Sequence, residues 1–348
     1  MVESGLPTLA KYYRTMKILV TGSAGHLGEG LVRTLRDRSL EVAGLDVLAS
    51  RFTTRTGSLT DRAFVHRAMR GVETVFHAAT LHKPHVVTHS RQEFVDTNIS
   101  GTLNLLEEAA AAGVTRFVYT STTSVFGRAL VPPAKAPAAW ITEEVMPAPK
   151  NIYGVTKAAA EDLCELFHHN QGLACIVLRT SRFFPEEDDD ATMRAEYADA
   201  NGKTNEYLYR RVDIEDVVNA HLLAAEQART IGFRKYIISA TTPFCREDLE
   251  ELRIDAPQVV GKRVPGYEAE YDRRQWKMVP GIDRVYVNER ARRELKWQPR
   301  YDFSFIIERL KAGDDIRSPL ARAVGSKGYH AQAFADGPYP VSDGRFKV

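Results

Sequence analysis

Residues 17–35, KILVTGSAGHLGEGLVRTL, constrain this chain most, because the apolar period changes within them and three glycines stand at the change. Ile18, Leu19 and Val20 form the short continuous apolar run of a strand buried on both faces. Leu27, Leu31 and Leu35 then recur every four residues, as one face of a helix does. A strand therefore turns directly into a helix across Gly22, Gly25 and Gly28. Residues without a Cβ permit a tight bend, close approach of a pyrophosphate to the backbone, and close packing of helix on strand. The helix start adds unpaired N–H groups and a partial positive charge. The spacing reads as a dinucleotide loop made of Gly22, Ser23, Ala24, Gly25, His26, Leu27 and Gly28, with an ordinary glycine-rich turn as the alternative.

The surrounding pattern supports the loop. At 348 residues the chain suits a nucleotide domain with a smaller partner domain. Its formal charge of +2, with acids and bases interspersed, gives no footprint for nucleic acid or an anionic membrane. Small-molecule partners are expected. Cys164, Cys175 and Cys245 show neither metal spacing nor an even count for a disulfide framework, which fits a reducing cytoplasm. Residues 1–16 form an extension without the apolar core of a signal peptide, and Met16 stands as an alternative start. No later run approaches the roughly 20 apolar residues of a membrane span.

In chain order, 40–47 (LEVAGLDV) reads as a second strand ending in Asp46, about 20 residues past the glycines, where an acid accepts from a ribose hydroxyl. A 2′-phosphate would be repelled there, so NAD is expected, with Arg51 leaving NADP open. Within 57–61 (GSLTD), Thr60 is the expected helix cap, and Ser58 and Leu59 the adenine-side wall. A third strand at 74–80 carries Ala78 and Ala79, small enough to admit a ligand or to pack a sheet tightly. His77, His82, Lys83, His85 and His89 crowd together without paired metal spacing, so no metal is expected.

A helix at 98–113, a strand at 116–122 ending in hydroxyls, and a Pro/Ala-rich loop at 131–149 follow. Asn151 then opens a helix in which Tyr153 and Lys157 share a face. Strands at 174–181 and 235–240 flank an acidic stretch, 183–207, expected to be solvated and irregular, and a helix at 213–229. Strands alternating with helices demand a doubly wound, mostly parallel α/β sheet. Residues after Thr242 suit an α-rich lobe, and 313–348 show no usable period. The expected division is 17–182 plus 209–241 for the dinucleotide, and 183–208 plus 242–348 for the substrate.

A tyrosine one helical turn from a lysine, facing hydroxyls at a strand end, makes an acid/base device. The ammonium is expected to favour phenolate, and Thr122 to bond the same substrate oxygen. An ordinary solvent-facing Tyr/Lys pair is the alternative. Here the chain resembles the extended short-chain dehydrogenase/reductases, in particular the NAD-dependent epimerase/dehydratase group, over roughly residues 17–310. TGSAGHLG is similar to TGxxGxxG, HAA at 77–79 to HxAA, NISGTLNLLEEA to NVxGTxNLLEA, STTSVFG to SSxxVYG, and YGVTK to YxxxK. Farther on, YRRVDIEDV resembles RDFVHVDDV, and ARRELKWQP resembles ARxxLGWxP.

The resemblance implies a Rossmann fold, NAD, and chemistry on a sugar-like hydroxyl in carbohydrate metabolism. It implies Thr122, Tyr153 and Lys157 as catalytic residues, Asn98 on a proton path, and a homodimer built from helices at 98–113 and 151–170. His82, Thr123, Arg182 and Arg210 are the expected substrate contacts. Three departures stand out: Ser58 replaces an acid, which bears on the adenine contact, while Asp213 replaces a histidine and Arg182 an asparagine, which bear on substrate. Arg182 either binds a carboxylate or phosphate through two N–H bonds, favouring an acidic sugar over a sugar nucleotide, or pairs with Glu186 and Glu187. A non-catalytic NAD-sensing protein on the same fold is the second functional class.

Overall fold

The computed structural model describes residues 17–328, 330, 334 and 337–340. The extension at 1–16, with the alternative start at Met16, lies outside the described residues, as does much of the tail beyond 328. Nine strands are described: β1 Lys17–Thr21, β2 Val42–Asp46, β3 Arg55–Thr56, β4 Val72–His77, β5 Arg116–Thr122, β6 Ala139–Ile141, β7 Cys175–Thr180, β8 Phe233–Ile238 and β9 Arg284–Tyr286. Seven form one parallel sheet in the order β3-β2-β1-β4-β5-β7-β8. The doubly wound α/β expectation holds, and the chain reverses direction across the sheet between β1 and β4.

Both faces of this sheet are covered, which is why its strands are apolar runs rather than alternating patterns. On one face Ile18, Val20, Phe76, Val118 and Ile176 pack against helices His26–Asp37 and Ile214–Ile231. On the other, Leu19, Val75, Phe117 and Val177 pack against Arg62–Ala68, Gly101–Ala111 and Ile152–Gln171. A separate cluster, including Tyr207, Phe244, Val260, Tyr271 and Phe303, forms the core of the α-rich lobe. The ARRELKWQP stretch folds back onto the sheet's first face, where fully buried Trp297 donates from its indole nitrogen to the Asp216 carbonyl at 3.0 Å.

Several sequence expectations need correction. The loop at 131–149 contains β6, which pairs in parallel with β9 and joins this excursion to the second lobe. The two-residue edge strand β3 was too short to carry an apolar period. Asp61, not Thr60, caps its helix, accepting from the Phe64 amide at 3.0 Å, because helical geometry begins one residue later than expected. The helix expected from 98 starts earlier, and residues Val95–Ser100 form a π-helical turn within it.

The acidic stretch is the largest correction. It holds helices Ala191–Glu196 and Asp199–Glu206, and Glu186 and Glu206 are buried rather than solvated. Partners distant from the local sequence period draw these acids inward, His26 and the Lys327 amide for Glu186 and Arg210 and Arg211 for Glu206. The tail adds a helix, Pro319–Val324, and Asp213 both caps Ile214–Ile231 and accepts from the Ser318 amide at 3.2 Å.

Candidate active site

The sheet's reversal places the glycine turn beside the end of β4. Gly22 has φ +74°, and a Cβ there would lie 2.7 Å from the Ala79 nitrogen; one on Gly28 would lie 1.9 Å from the Gly22 carbonyl oxygen. The turn therefore packs on Ala78 and Ala79 with no room for a side chain at Gly22 or Gly28. Gly25 caps the following helix without a side-chain bond, leaving its first N–H groups for an anion. Asp46 closes the far side, its Oδ2 accepting from the Ala24 amide at 2.9 Å and its Oδ1 from Leu48 at 2.9 Å. Buried Ser23 bonds Thr53 at 2.9 Å, and Leu27 turns into the core. This cradle and its carboxylate fit a dinucleotide.

Around the turn, the wall residues are held locally. Ser58 bonds the Thr60 hydroxyl at 2.8 Å, and buried Leu59 offers its carbonyl to Asn104 at 2.9 Å. Arg51, the cation that left NADP open, lies 4.8 Å over the Phe52 ring.

The second group of predicted residues gathers at the end of β5. Thr122 and Thr123 are both buried there, and Thr122 accepts from the Ser124 amide at 3.1 Å. Tyr153 is 8% exposed and lies beside Thr122; burial pushes its phenol up to about 12, with Thr122 opposing. Lys157 is 2% exposed, donates to the Thr120 carbonyl at 2.6 Å, and lies 4.1 Å over the Tyr119 ring. Burial pulls its ammonium down to about 7, while Glu161 and Cys164 pull it up. Desolvation thus dominates both groups, moving each toward its neutral form. The expected push of Lys157 toward phenolate is not among the causes acting on Tyr153, whose phenol burial keeps in its neutral form.

Asn98 sits in the π turn, a local widening frequent at functional positions. Its amide donates to the Leu81 carbonyl at 2.8 Å and to Thr156 at 3.0 Å, and its oxygen accepts from Thr80 at 2.9 Å and the Leu81 amide at 2.8 Å. It ties the end of β4 to the helix that carries Tyr153. His77 is clamped between Thr21 at 2.8 Å and Thr102 at 2.9 Å, and burial with the Lys157 charge lowers it to about 3. Burial, then the His85 and His26 rings, push His82 well below its ordinary value. Among the described residues, no three His, Cys, Asp or Glu side chains are arranged to hold a metal.

Arg182 and Arg210 are brought together, but against acids of this chain. Arg182 donates to the carbonyl oxygens of Glu186 at 3.2 Å and Glu187 at 2.8 Å, and lies 3.6 Å from Asp188 and 3.5 Å from Asp189. It meets the backbone of Glu186 and Glu187, not their carboxylates. Arg210 pairs with Asp188, and with Glu206 at 2.7 Å.

Two networks went unnoticed in the sequence. Buried Glu161 accepts from Ser121 at 2.5 Å and from Arg179 at 2.7 Å, bracing the strand end beside Thr122. Its position one turn beyond Lys157 was the available signal. In the other, Glu186 accepts from His26 at 2.8 Å, Ser326 at 2.9 Å and the Lys327 amide at 3.0 Å, fastening the tail over the glycine turn. Nothing local in 183–190 marks that role.

With this geometry, comparison with known proteins is direct. The NAD dependent epimerase/dehydratase family matches residues 18–238. A 3-beta-hydroxysteroid dehydrogenase of Mycolicibacterium neoaurum is 26% identical over 82% of this chain and 87% of its own length. A UDP-glucose 4-epimerase of Erwinia amylovora is 30% identical, over 42% of this chain and 47% of its own length. Among solved structures, a short-chain dehydrogenase/reductase superfamily protein from Agrobacterium tumefaciens with bound NAD has a TM-score of 0.61 at 22% identity, covering 88% of this chain and 99% of that one. Glycine cradle, parallel sheet and family match agree: the chain belongs to the NAD dependent epimerase/dehydratase family, whose cofactor is NAD.

Proposed function

We propose that this protein is an NAD-dependent oxidoreductase or epimerase that transfers hydride at a secondary hydroxyl of a sugar-like substrate, using Thr122, Tyr153 and Lys157. The observation that carries the reading is the buried Tyr153 phenol beside Thr122, at a strand end whose Thr120 carbonyl holds Lys157. Ligands of open α/β sheets bind outside such strand ends. Bound NAD supplies the hydride acceptor. Tyr153 exchanges the proton of the substrate hydroxyl, Thr122 fixes that oxygen by a hydrogen bond, and Lys157 sets the charge beside them. Asn98 positions the Tyr153 helix. The glycine turn and Asp46 hold the dinucleotide.

A second reading of the substrate rests on one finding. A hydroxysteroid dehydrogenase matches 82% of this chain at 26% identity and a sugar-nucleotide epimerase 42% at 30%, so an alcohol of steroid type stands as a second substrate class. A homodimer through Gly101–Ala111 and Ile152–Gln171 is supported by the exposed apolar residues Val155 and Leu166 on the latter helix. Cytoplasmic residence is supported by three free cysteines, and no described helix is long and apolar enough to cross a membrane.

The test is turnover of a panel of sugars, sugar nucleotides and hydroxysteroids with NAD, by wild type and Tyr153→Phe. Loss of turnover with retained NAD binding supports the enzyme. NAD binding without turnover of any substrate supports the sensing protein instead.

A further inference from the structure

The acidic segment after β7 runs beside the glycine turn and the end of β4, with Glu186, Asp188, Asp189 and Glu206 largely withdrawn from solvent. β7 ends at Thr180, paired with Thr122 on β5, and Arg182 follows two residues later. The Phe184 ring lies 5.4 Å from His26 on the glycine turn and 5.5 Å from His82 at the end of β4. The segment thus starts at the strand end beside Thr122 and lies alongside the glycine turn.

Three guanidinium groups here face three carboxylates. Arg182 lies between Asp188 and Asp189, with Glu206 at 3.9 Å; Arg210 pairs with Asp188 and Glu206; Arg211 pairs with Glu206 at 2.7 Å. The most exposed of the six side chains is Arg210, at 23%. Lys83, from the opposite wall, also pairs with Asp189. Burial works against an ionised Glu206, yet Arg211, Arg210 and Arg182 outweigh it and hold the group well below the usual carboxylate range. A cavity of about 240 Å³ opens beside the cluster, and its lining balances Arg182, Arg194, Lys203 and Arg211 against four acids.

A ligand phosphate or carboxylate reaching these arginines would find the Arg182 Nε, Arg210 Nε and Arg211 Nη2 donors open among the described residues, but would have to displace a bonded carboxylate to take the remaining donors. The displaced group would then stay buried and unpaired beside the ligand's own negative charge, which is the costly arrangement for any ion in an interior. An uncharged ligand leaves the pairs intact. We propose that Asp188 and Asp189 make this cleft select an uncharged secondary alcohol and reject one carrying a phosphate or carboxylate. The proposal rests on the hydride-transfer reading above and narrows its substrate class.

The experiment has two arms. In the first, NAD-loaded wild-type protein is assayed, by nicotinamide reduction and by product analysis, on paired substrates: a free hexose and a hydroxysteroid against a uridine-diphosphate hexose and a uronic acid. In the second, uridine diphosphate alone is titrated calorimetrically into wild type and into the Asp188→Asn/Asp189→Asn variant. The proposal expects turnover confined to the uncharged compounds, no measurable binding of uridine diphosphate to wild type, and a gain of roughly tenfold or more in its affinity for the variant. Preferred turnover of either anionic compound overturns it, as does tight binding of uridine diphosphate to wild type. The wild-type measurements decide the matter even where the variant fails to fold. Absence of all turnover counts against hydride transfer, whereas the titration judges the charge selection separately.

Discussion

Lys157 donates to the main-chain carbonyl of Thr120 at 2.6 Å, so the ammonium on the Tyr153 helix is fastened to the strand that presents Thr122. One bond therefore fixes the two elements of the proposed catalytic group relative to each other, and it does so in a place where burial disfavours the charge it uses.

That burial gives a pH dependence with a definite sign. The folded value of Lys157 is lowered to about 7, below the ordinary lysine value near ~10.4, so between these the unfolded chain binds more protons than the folded one. The penalty is present in full below the folded value and disappears as pH rises through the window. Denaturation of wild type and Lys157→Met should show wild type gaining stability on the variant from pH 7 toward pH 10. A pH-independent difference would contradict the assignment.

Cofactor choice follows from Asp46. Its carboxylate faces the Ala24 amide of the glycine turn, while Arg51 is held over the Phe52 ring. Calorimetric titration should give tighter binding of NAD(H) than of NADP(H), and Asp46→Ser should narrow the difference. Equal or tighter NADP binding by wild type would count against this account.

The tail is fastened through Glu186. Burial raises this carboxyl, but the His26 bond and charge and the Lys327 amide outweigh burial and leave it well below the usual range. Its stabilising contribution is thus present above the ordinary glutamate value near ~4.3 and lost as pH falls from there toward the folded value. Glu186→Gln should cost about 1–3 kcal/mol at neutral pH, the usual effect of leaving buried donors poorly paired. Thermal melts should show that cost shrinking as the pH is lowered below 4. A cost that persists unchanged in acid would disprove the ionic role.

Val155 and Leu166 stand exposed on the Tyr153 helix, at 47% and 48%. Sedimentation should give a dimer at micromolar concentration, and Val155→Lys should shift it toward monomer. A wild-type monomer under those conditions would remove the proposed interface.

The sheet was legible because its signals are local. β5 runs over Arg116–Thr122, where its apolar run and terminal hydroxyls placed it, and the glycine turn follows from three residues whose spacing admits few alternatives. Tyr153 and Lys157 were legible because residues four apart on a helix share a face. What the sequence hid depends on partners far along the chain. Glu186 reads as one of a run of solvated acids until His26 and Lys327 surround it, and Glu206 until Arg210 and Arg211 do. The expected depression of the Tyr153 phenol failed for a related reason: a phenol and a lysine one turn apart say nothing of burial, and burial at 8% exposure outweighs the rest.

The central claim is hydride transfer with Tyr153 as the proton-exchanging group. Its most direct test is single-turnover reduction of bound NAD by a reacting alcohol, compared between wild type and Tyr153→Phe at matched NAD occupancy. The account predicts a loss of roughly 10²- to 10⁴-fold in the variant's rate, the usual contribution of a positioned acid or base, with NAD affinity unchanged. A Tyr153→Phe protein that reduces NAD at the wild-type rate would contradict it.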